Sequence, residues 1–251
     1  MKQKSDSAMP AIARTTPIER QIESVSSATP SYGVDMDLDD EEDELNNLNI
    51  PDVVIRRLPI YVRTLHSLIE HGQVSVSSEE LATLIGVTAA QIRRDLSYFG
   101  KFGKQGRGYD VGYLSNTVER ILKLDRTWNM VLCGMGKLGH AIANYRGFMR
   151  SSFEIAALFD SDENLVGEEV NGHPIRPMRD LVETMRREHI QVGIIATPRK
   201  NAQETADLLV AGGVQAILNY APVILKVPDH VTVREIDPVS ALQSMTYYIE
   251  D

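Results

Sequence analysis

A glycine-rich turn between an apolar run and an amphipathic segment constrains the fold of this chain more than any other feature. NMVLC (129–133) leads into GMGKLG, Gly134 to Gly139, and then into HAIANY (140–145). Read as strand, turn and helix, this is the first half of a nucleotide-binding βαβ unit, in which the free N–H groups and dipole of the helix favour a pyrophosphate. Gly134 allows the tight turn, Gly136 the close approach of a diphosphate and Gly139 close packing of helix on strand, with Lys137 and Leu138 completing the turn. The next apolar run, EIAALFD, ends in Asp160, about 20 residues beyond Gly139. A carboxylate there accepts ribose hydroxyls and repels a 2′-phosphate, so NAD(H) is expected over NADP(H). GIIATP (193–198), ending in Thr197 and Pro198, and AILNYAP (216–222) supply two further strands whose C-terminal ends face the same crevice. The expected class is α/β with a Rossmann-like parallel sheet.

The N-terminal half follows different rules. Residues 1–50 carry 4 basic and 11 acidic side chains, residues 51–128 carry 11 and 8, and residues 129–251 carry 11 and 16, so only the middle segment is basic in a chain of net charge −9. The first 50 residues are rich in Ser, Thr, Pro and Ala and include DMDLDDEEDE, Asp35 to Glu44. Low hydrophobicity and self-repulsion predict disorder there, either as a solvated tail or as an acidic arm competing for the basic face.

Order is expected from Pro51. Val54, Leu58, Tyr61, Leu65, Leu68 and Ile69 form one apolar helical stripe that closes at His71-Gly72, with a kink or an early first turn at Pro59. Ser77 with Glu80 and Thr88 with Gln91 match the capping box, in which a hydroxyl takes an orphan N–H and the acid or amide reaches back. With a left-handed exit at Gly86, Glu79 to Ile85 and Ala89 to Tyr98 then form a helix-turn-helix. On its second helix Gln91, Arg93, Arg94, Ser97 and Tyr98 are expected to face a DNA groove, while Ile92, Leu96 and Phe99 dock on the core. Arginine can bond guanine bidentately and glutamine adenine, and Lys101, Lys104 and Arg107 beyond the helix suit phosphates. The five glycines of Gly100 to Gly112 fit a hairpin wing or a flexible interdomain linker, and a further helix is expected over Ser115 to Leu124.

Other chemistry finds little support. No apolar run approaches the roughly 18 residues of a membrane span, and MKQKSDSAMPAIARTTP lacks the apolar core of a signal peptide. The one cysteine, Cys133, reads as a small apolar residue ending a buried strand, and a reducing cytoplasm is the expected compartment. No metal-spaced set of His or carboxylates appears, none of the six histidines stands out as a general base, and 90 residues of nucleotide fold leave no room for a substrate domain. An NAD-dependent oxidoreductase, a CoA-binding protein and a purely architectural DNA binder remain as alternatives.

RRLPIYVR, SSEELATLIGVTAAQIRRDLSYFGKFGKQGRGY, GMGKLGHAIANY, FDSD, ATPRKNAQETADLLVAGGVQAILNYAP and VREIDPVSALQSMTYYI, spanning Pro51 to the end, closely resemble the bacterial Rex family of redox-sensing repressors. The resemblance implies a winged-helix domain over 51–126, a Rossmann-like NAD(H) domain over 127–238, and a C-terminal dimerisation helix within 239–251, about Ser240 to Tyr248, exchanged between the subunits of a homodimer. It also implies double-stranded operator DNA with an inverted repeat, bound when NADH is scarce and released when NADH binds, and no catalysis. Arg93, Arg94, Tyr98 and Phe99 match the family's recognition-helix segment and Lys101 to Tyr109 its wing. Tyr145 matches a tyrosine beside the nicotinamide. Arg63 and Asp237 match an arginine and an aspartate that couple the DNA module to the partner's nucleotide domain. The acidic extension over 1–50 departs from the family pattern.

Overall fold

Pro59 decides how the ordered part of the chain begins. In the computed structural model, which describes residues 50–100, 102, 108–148 and 151–249, the expected single stripe is divided into two helices, α1 (Asp52–Ile55) and α2 (Leu58–Glu70). Pro59 sits in the first turn of α2, where its missing N–H has no intrahelical partner to lose. The acidic extension and three of the expected phosphate contacts, Lys101, Lys104 and Arg107, lie outside the described residues.

After β1 (Ser75–Val76), α3 (Ser78–Ile85) starts at a complete capping box: the Glu80 N–H donates to Ser77 Oγ at 3.1 Å and the Ser77 N–H to Glu80 Oε2 at 2.8 Å. It ends at Gly86 with φ +80°, the left-handed exit that the turn into α4 (Ala89–Ser97) requires. The second box is only half built. The Gln91 N–H donates to Thr88 Oγ1 at 3.2 Å, but the Gln91 side chain runs forward along the helix instead of back to Thr88.

β2 (Tyr109–Asp110) pairs antiparallel with β1, Val76 opposite Tyr109, while most of the expected wing, residues 101 and 103–107, lies outside the described residues. Gly108, at φ +73°, passes so near β1 that a Cβ would lie 2.6 Å from the Val76 oxygen. α5 (Val111–Ile121) starts four residues before the expected Ser115 because Asp110 caps it, its Oδ1 accepting the Tyr113 N–H at 2.8 Å. Leu58, Tyr61, Leu65, Leu81, Ile92, Leu96 and Leu114 close a core of their own beneath these helices.

From β3 (Trp128–Cys133) the chain alternates through α6 (Lys137–Ala143), β4 (Phe153–Asp160), β5 (Glu169–Val170), β6 (His173–Pro177), a 3-10 turn, α7 (Leu181–Arg187), β7 (Val192–Ile195), α8 (Arg199–Gly212), β8 (Ala216–Asn219), β9 (Thr232–Glu235) and α9 (Pro238–Thr246). The seven-stranded sheet runs β5-β6-β4-β3-β7-β8-β9, parallel except for β5 against β6. Alternation along β3 sends Val131 and Cys133 into the core on one face and Met130 and Leu132 into the core on the other, the double burial that a parallel sheet demands. β3 has β4 on one side and β7 on the other, so the order reverses there and opens a crevice at the strands' C-terminal ends. No described helix is long and apolar enough to cross a membrane.

Candidate DNA-binding face and nucleotide crevice

α4 carries the expected DNA-facing residues, but the structure divides them. Arg94 is exposed and its side chain makes no hydrogen bond or ion pair among the described residues. Arg93 is exposed too, yet its guanidinium reaches back to α3, donating to Ser78 Oγ at 2.7 Å and to Glu79 Oε1 at 3.1 Å. Ser97 Oγ donates to the Arg94 carbonyl at 2.7 Å, and Tyr98 is the half-buried C-cap. Phe99 packs against the core with Ile92 and Leu96, as its place in the apolar stripe requires.

Sequence reasoning missed Asp95, which is 0% exposed. Its Oδ2 accepts from Arg57 Nε at 2.6 Å and from the Tyr61 hydroxyl at 2.6 Å; its Oδ1 accepts from Arg57 Nη2 at 2.7 Å and from Gln91 Nε2 at 2.6 Å. Burial pushes the carboxyl toward its neutral form, but the hydrogen bonds from Arg57, Tyr61 and Gln91 outweigh it and hold Asp95 below the usual carboxylate range. Burial and then the bond to Asp95 push the Tyr61 phenol well above its ordinary value. The readable signal was position: Asp95 follows Ile92 by three residues and precedes Phe99 by four, which places an acid on the helix face that docks.

At the crevice the three glycines differ in what surrounds them. Gly134 has φ +96°, and a Cβ there would come within 2.7 Å of the Ala196 backbone, so the turn lies directly against the end of β7. A Cβ on Gly139 would overlap the Gly134 carbonyl oxygen, whereas one on Gly136 would meet nothing within 4 Å. Gly136 thus faces open space beside α6, whose first-turn N–H groups have no side-chain cap. Across the turn Thr197 Oγ1 is buried without a hydrogen-bond partner among the described residues, and Pro198 is the N-cap position of α8. Lys137 and Leu138 open α6 and are exposed.

Asp160 stands at the end of β4, but it buckles the turn as well. Its Oδ2 accepts the Met135 N–H at 2.5 Å and its Oδ1 the Asp162 N–H at 2.8 Å, leaving each oxygen a further lone pair for a ligand. Cys133 is fully buried; burial, and after it the Asp160 charge, raise its thiol far above the ordinary range, so it is inert packing. An uncapped helix start, an open glycine face, an unpartnered hydroxyl and a carboxylate at the β4 end together fit a dinucleotide.

Tyr145 follows α6, is 62% exposed and meets Phe148 edge-on at 5.4 Å. Arg63 is exposed on α2 and lines a cavity of about 520 Å3 with His66, Glu119 and Phe153. Asp237 caps α9, accepting the Val239 N–H at 2.9 Å, and lines a separate cleft with Arg199 and Asn219. No hydrogen bond or ion pair joins any two of Arg63, Tyr145 and Asp237 within the chain. An unforeseen contact does bridge the two halves: Asp52 of α1 accepts from Arg234 of β9 and also from Arg56 Nε, the latter at 2.7 Å. α9 starts two residues before the expected Ser240, with Pro238 in its first turn, and none of its residues is buried; Leu242 is 61% exposed. Among the described residues no group of three or more His, Cys, Asp or Glu could hold a metal ion.

Comparison with known proteins gives the same division. Residues 49–97 match a family model for a DNA-binding protein N-terminus, and residues 125–223 match that of the CoA binding domain. A redox-sensing transcriptional repressor Rex from Chloroflexus aggregans is 55% identical over 79% of this chain and 94% of its own length, and one from Streptomyces coelicolor is 43% identical over 79% and 77%. Among solved structures, that of RSP in complex with beta-NAD+ and operator DNA is 40% identical with a TM-score of 0.77, covering 80% of this chain and 93% of RSP. RSP in complex with beta-NADH is 39% identical with a TM-score of 0.73, covering 80% and 95%. With such identity sustained across both the helix-turn-helix and the glycine-turn crevice, the chain belongs to the Rex family of redox-sensing transcriptional repressors.

Proposed function

We propose that this chain works in the cytoplasm as a homodimer that holds an inverted-repeat operator when NADH is scarce and lets it go when NADH occupies the crevice. One observation carries the reading: a single folded unit, Ile50–Asp251, holds both a helix-turn-helix with an outward Arg94 and a strand-order crevice with an unpartnered Thr197 hydroxyl. The relative RSP supports it, having been solved with NAD+ and operator DNA together and, separately, with NADH. The uncovered apolar face of α9 (Val239, Leu242, Met245) supports the dimer. The role is that of a repressor and not of an enzyme.

A bound nicotinamide dinucleotide supplies a ring that differs by a hydride and one positive charge between its two redox states. Gly134, Gly136, Lys137, Leu138 and Gly139 would cradle its diphosphate, Asp160 its ribose, and Thr197 and Pro198 would line the far wall, with Tyr145 beside the ring. Arg94, supported by Gln91, Arg93, Ser97 and Tyr98, would meet base edges and phosphates. Arg63 and Asp237 of opposite subunits would form a pair that favours the DNA-bound arrangement. The signal is then a population shift: moving a site from 1:99 to 99:1 takes about 5.5 kcal/mol of differential affinity, which two sites per dimer can share.

The CoA binding domain match makes CoA the rival ligand. NADH, NAD and CoA are each titrated while Trp128 and tyrosine fluorescence is followed, then repeated with an inverted-repeat duplex selected by this chain from random DNA. NADH is expected to release the duplex, and the duplex to weaken NADH by the same factor, as linkage requires. Release by CoA with no response to NADH, or steady consumption of NADH, overturns the reading.

A further inference from the structure

We propose that Asp95 is a positioning residue for base reading: its buried carboxylate fixes the side-chain amide of Gln91, one turn earlier on α4, in a single orientation toward DNA. This rests on the reading that α4 meets operator DNA. The carboxylate has four donors at 2.6–2.7 Å, and three of them, Arg57 Nε, Arg57 Nη2 and the Tyr61 hydroxyl, come from α2 and its N-cap residue. Those three suffice to hold α4 on α2. The fourth, Gln91 Nε2 on Oδ1, comes from α4 itself, from a half-exposed residue in its first turn.

The chemistry of the hub sets which way that amide faces. An ionised carboxylate can only accept, and an arginine beside it stays protonated, so only the NH2 end of Gln91 can turn inward. The second N–H and the carbonyl oxygen of Gln91 then make no hydrogen bond among the described residues. Together they present one donor and one acceptor, the complement of the adenine edge in the major groove. A glutamine free in solution would have to be ordered on binding and could also present the amide reversed. Here the ordering is done inside the folded domain.

The test uses the full chain without NADH. A duplex is selected from random DNA by the wild-type protein, and the affinities of all its single-base-pair substitutions are compared. Gln91→Ala is expected to lose about fivefold or more of the preference at one base pair in each half-site. Asp95→Asn should flatten that same position and leave the others ranked as before. Tyr61→Phe, which removes a donor from the other oxygen, should lower stability but keep the full preference. If Asp95→Asn weakens every duplex equally, the residue is only structural and the proposal falls; it falls also if Gln91→Ala keeps the preference. Wild-type protein that selects no sequence would overturn the DNA-reading function itself. Should Asp95→Asn fail to fold, the side-chain 15N order parameter of Gln91 in the wild-type protein decides. A value near the roughly 0.85 of rigid backbone supports the positioning, and one below about 0.6 overturns it.

Discussion

The two halves of the folded unit treat their polar groups in opposite ways. In the DNA-binding half the buried carboxylate of Asp95 meets four donors, Arg93 is anchored on Ser78 and Glu79, and both boundary caps of α3 are satisfied. In the nucleotide-binding half Thr197 Oγ1 is buried without a partner, Gly136 faces empty space, and the apolar side of α9 is uncovered. A half that satisfies its own groups can present a rigid surface to DNA. One that leaves them open has affinity left for a ligand and a second subunit, since an unpaired buried group gains most when a partner arrives.

The largest effect should come from breaking the satisfied half. Asp95→Ala leaves the partly buried Arg57 guanidinium without its counter-ion and is expected to cost about 3 kcal/mol in urea unfolding, the range for removing one partner of a buried pair. The pH dependence gives a second reading of the same contact. A carboxyl lowered by folding takes up its proton less readily in the folded state than in the unfolded one. Its contribution is therefore fully present above the unfolded value of about 3.9 and is lost as pH falls through the lower folded value. Wild-type stability should drop more steeply below pH about 4 than that of Asp95→Ala. Parallel curves would mean that the ionisation of Asp95 contributes no net stabilisation.

Glycine substitutions test the open half, where two neighbouring positions should respond in opposite ways. Gly139→Ala drives a Cβ into the Gly134 carbonyl and should lower the melting temperature of the ligand-free protein by several degrees, about 1–3 kcal/mol of overpacking. Gly136→Ala has room for its Cβ and an ordinary φ of −70°, so ligand-free stability should be unchanged while NADH affinity drops about tenfold. Calorimetry and thermal melts on both variants check this. If Gly136→Ala binds NADH as tightly as wild type, the diphosphate does not pass over that face.

What could be read from the sequence was whatever local chemistry dictates. Ser77, Glu80 and Gly86 bound α3 because capping and the left-handed exit depend on side chains within four residues. The turn at Gly134 to Gly139 is legible because Gly134 and Gly139 each answer a separate steric need. Pro174 and Pro177 hid β6, since a strand pairing parallel with β4 was not expected to contain two prolines. α5 begins before the expected Ser115 because Asp110, inside the glycine-rich segment, serves as its cap. Asp95 meets Arg57 and Tyr61, which lie 38 and 34 residues away, so only the packed fold reveals that an acid on the docking face has its counter-ion. The same holds for Thr197, whose missing partner is a property of the assembled crevice.

The smallest expected effect concerns a contact that joins the two halves across 182 residues, Asp52 with Arg234. Both side chains are about half exposed, at 49% and 42%, so solvent screens the pair and its removal should barely alter stability. Its placement matters more than its strength. Asp52 also holds Arg56, the next residue is Arg57, and Arg57 grips Asp95 of α4, so β9 is linked to α4 through consecutive arginines. β9 in turn leads directly to the Asp237 cap of α9. Asp52→Ala and Arg234→Ala should each leave NADH affinity and melting temperature near wild type, yet change the ratio of operator affinities without and with NADH by about twofold at low salt. The double variant should match either single one, because both remove the same link. Raising the ionic strength to about 1 M should erase the difference from wild type as the Debye length contracts to roughly 3 Å. Additive effects in the double variant, or a shift that persists in high salt, would show that the two residues act separately and that the two halves communicate by another route.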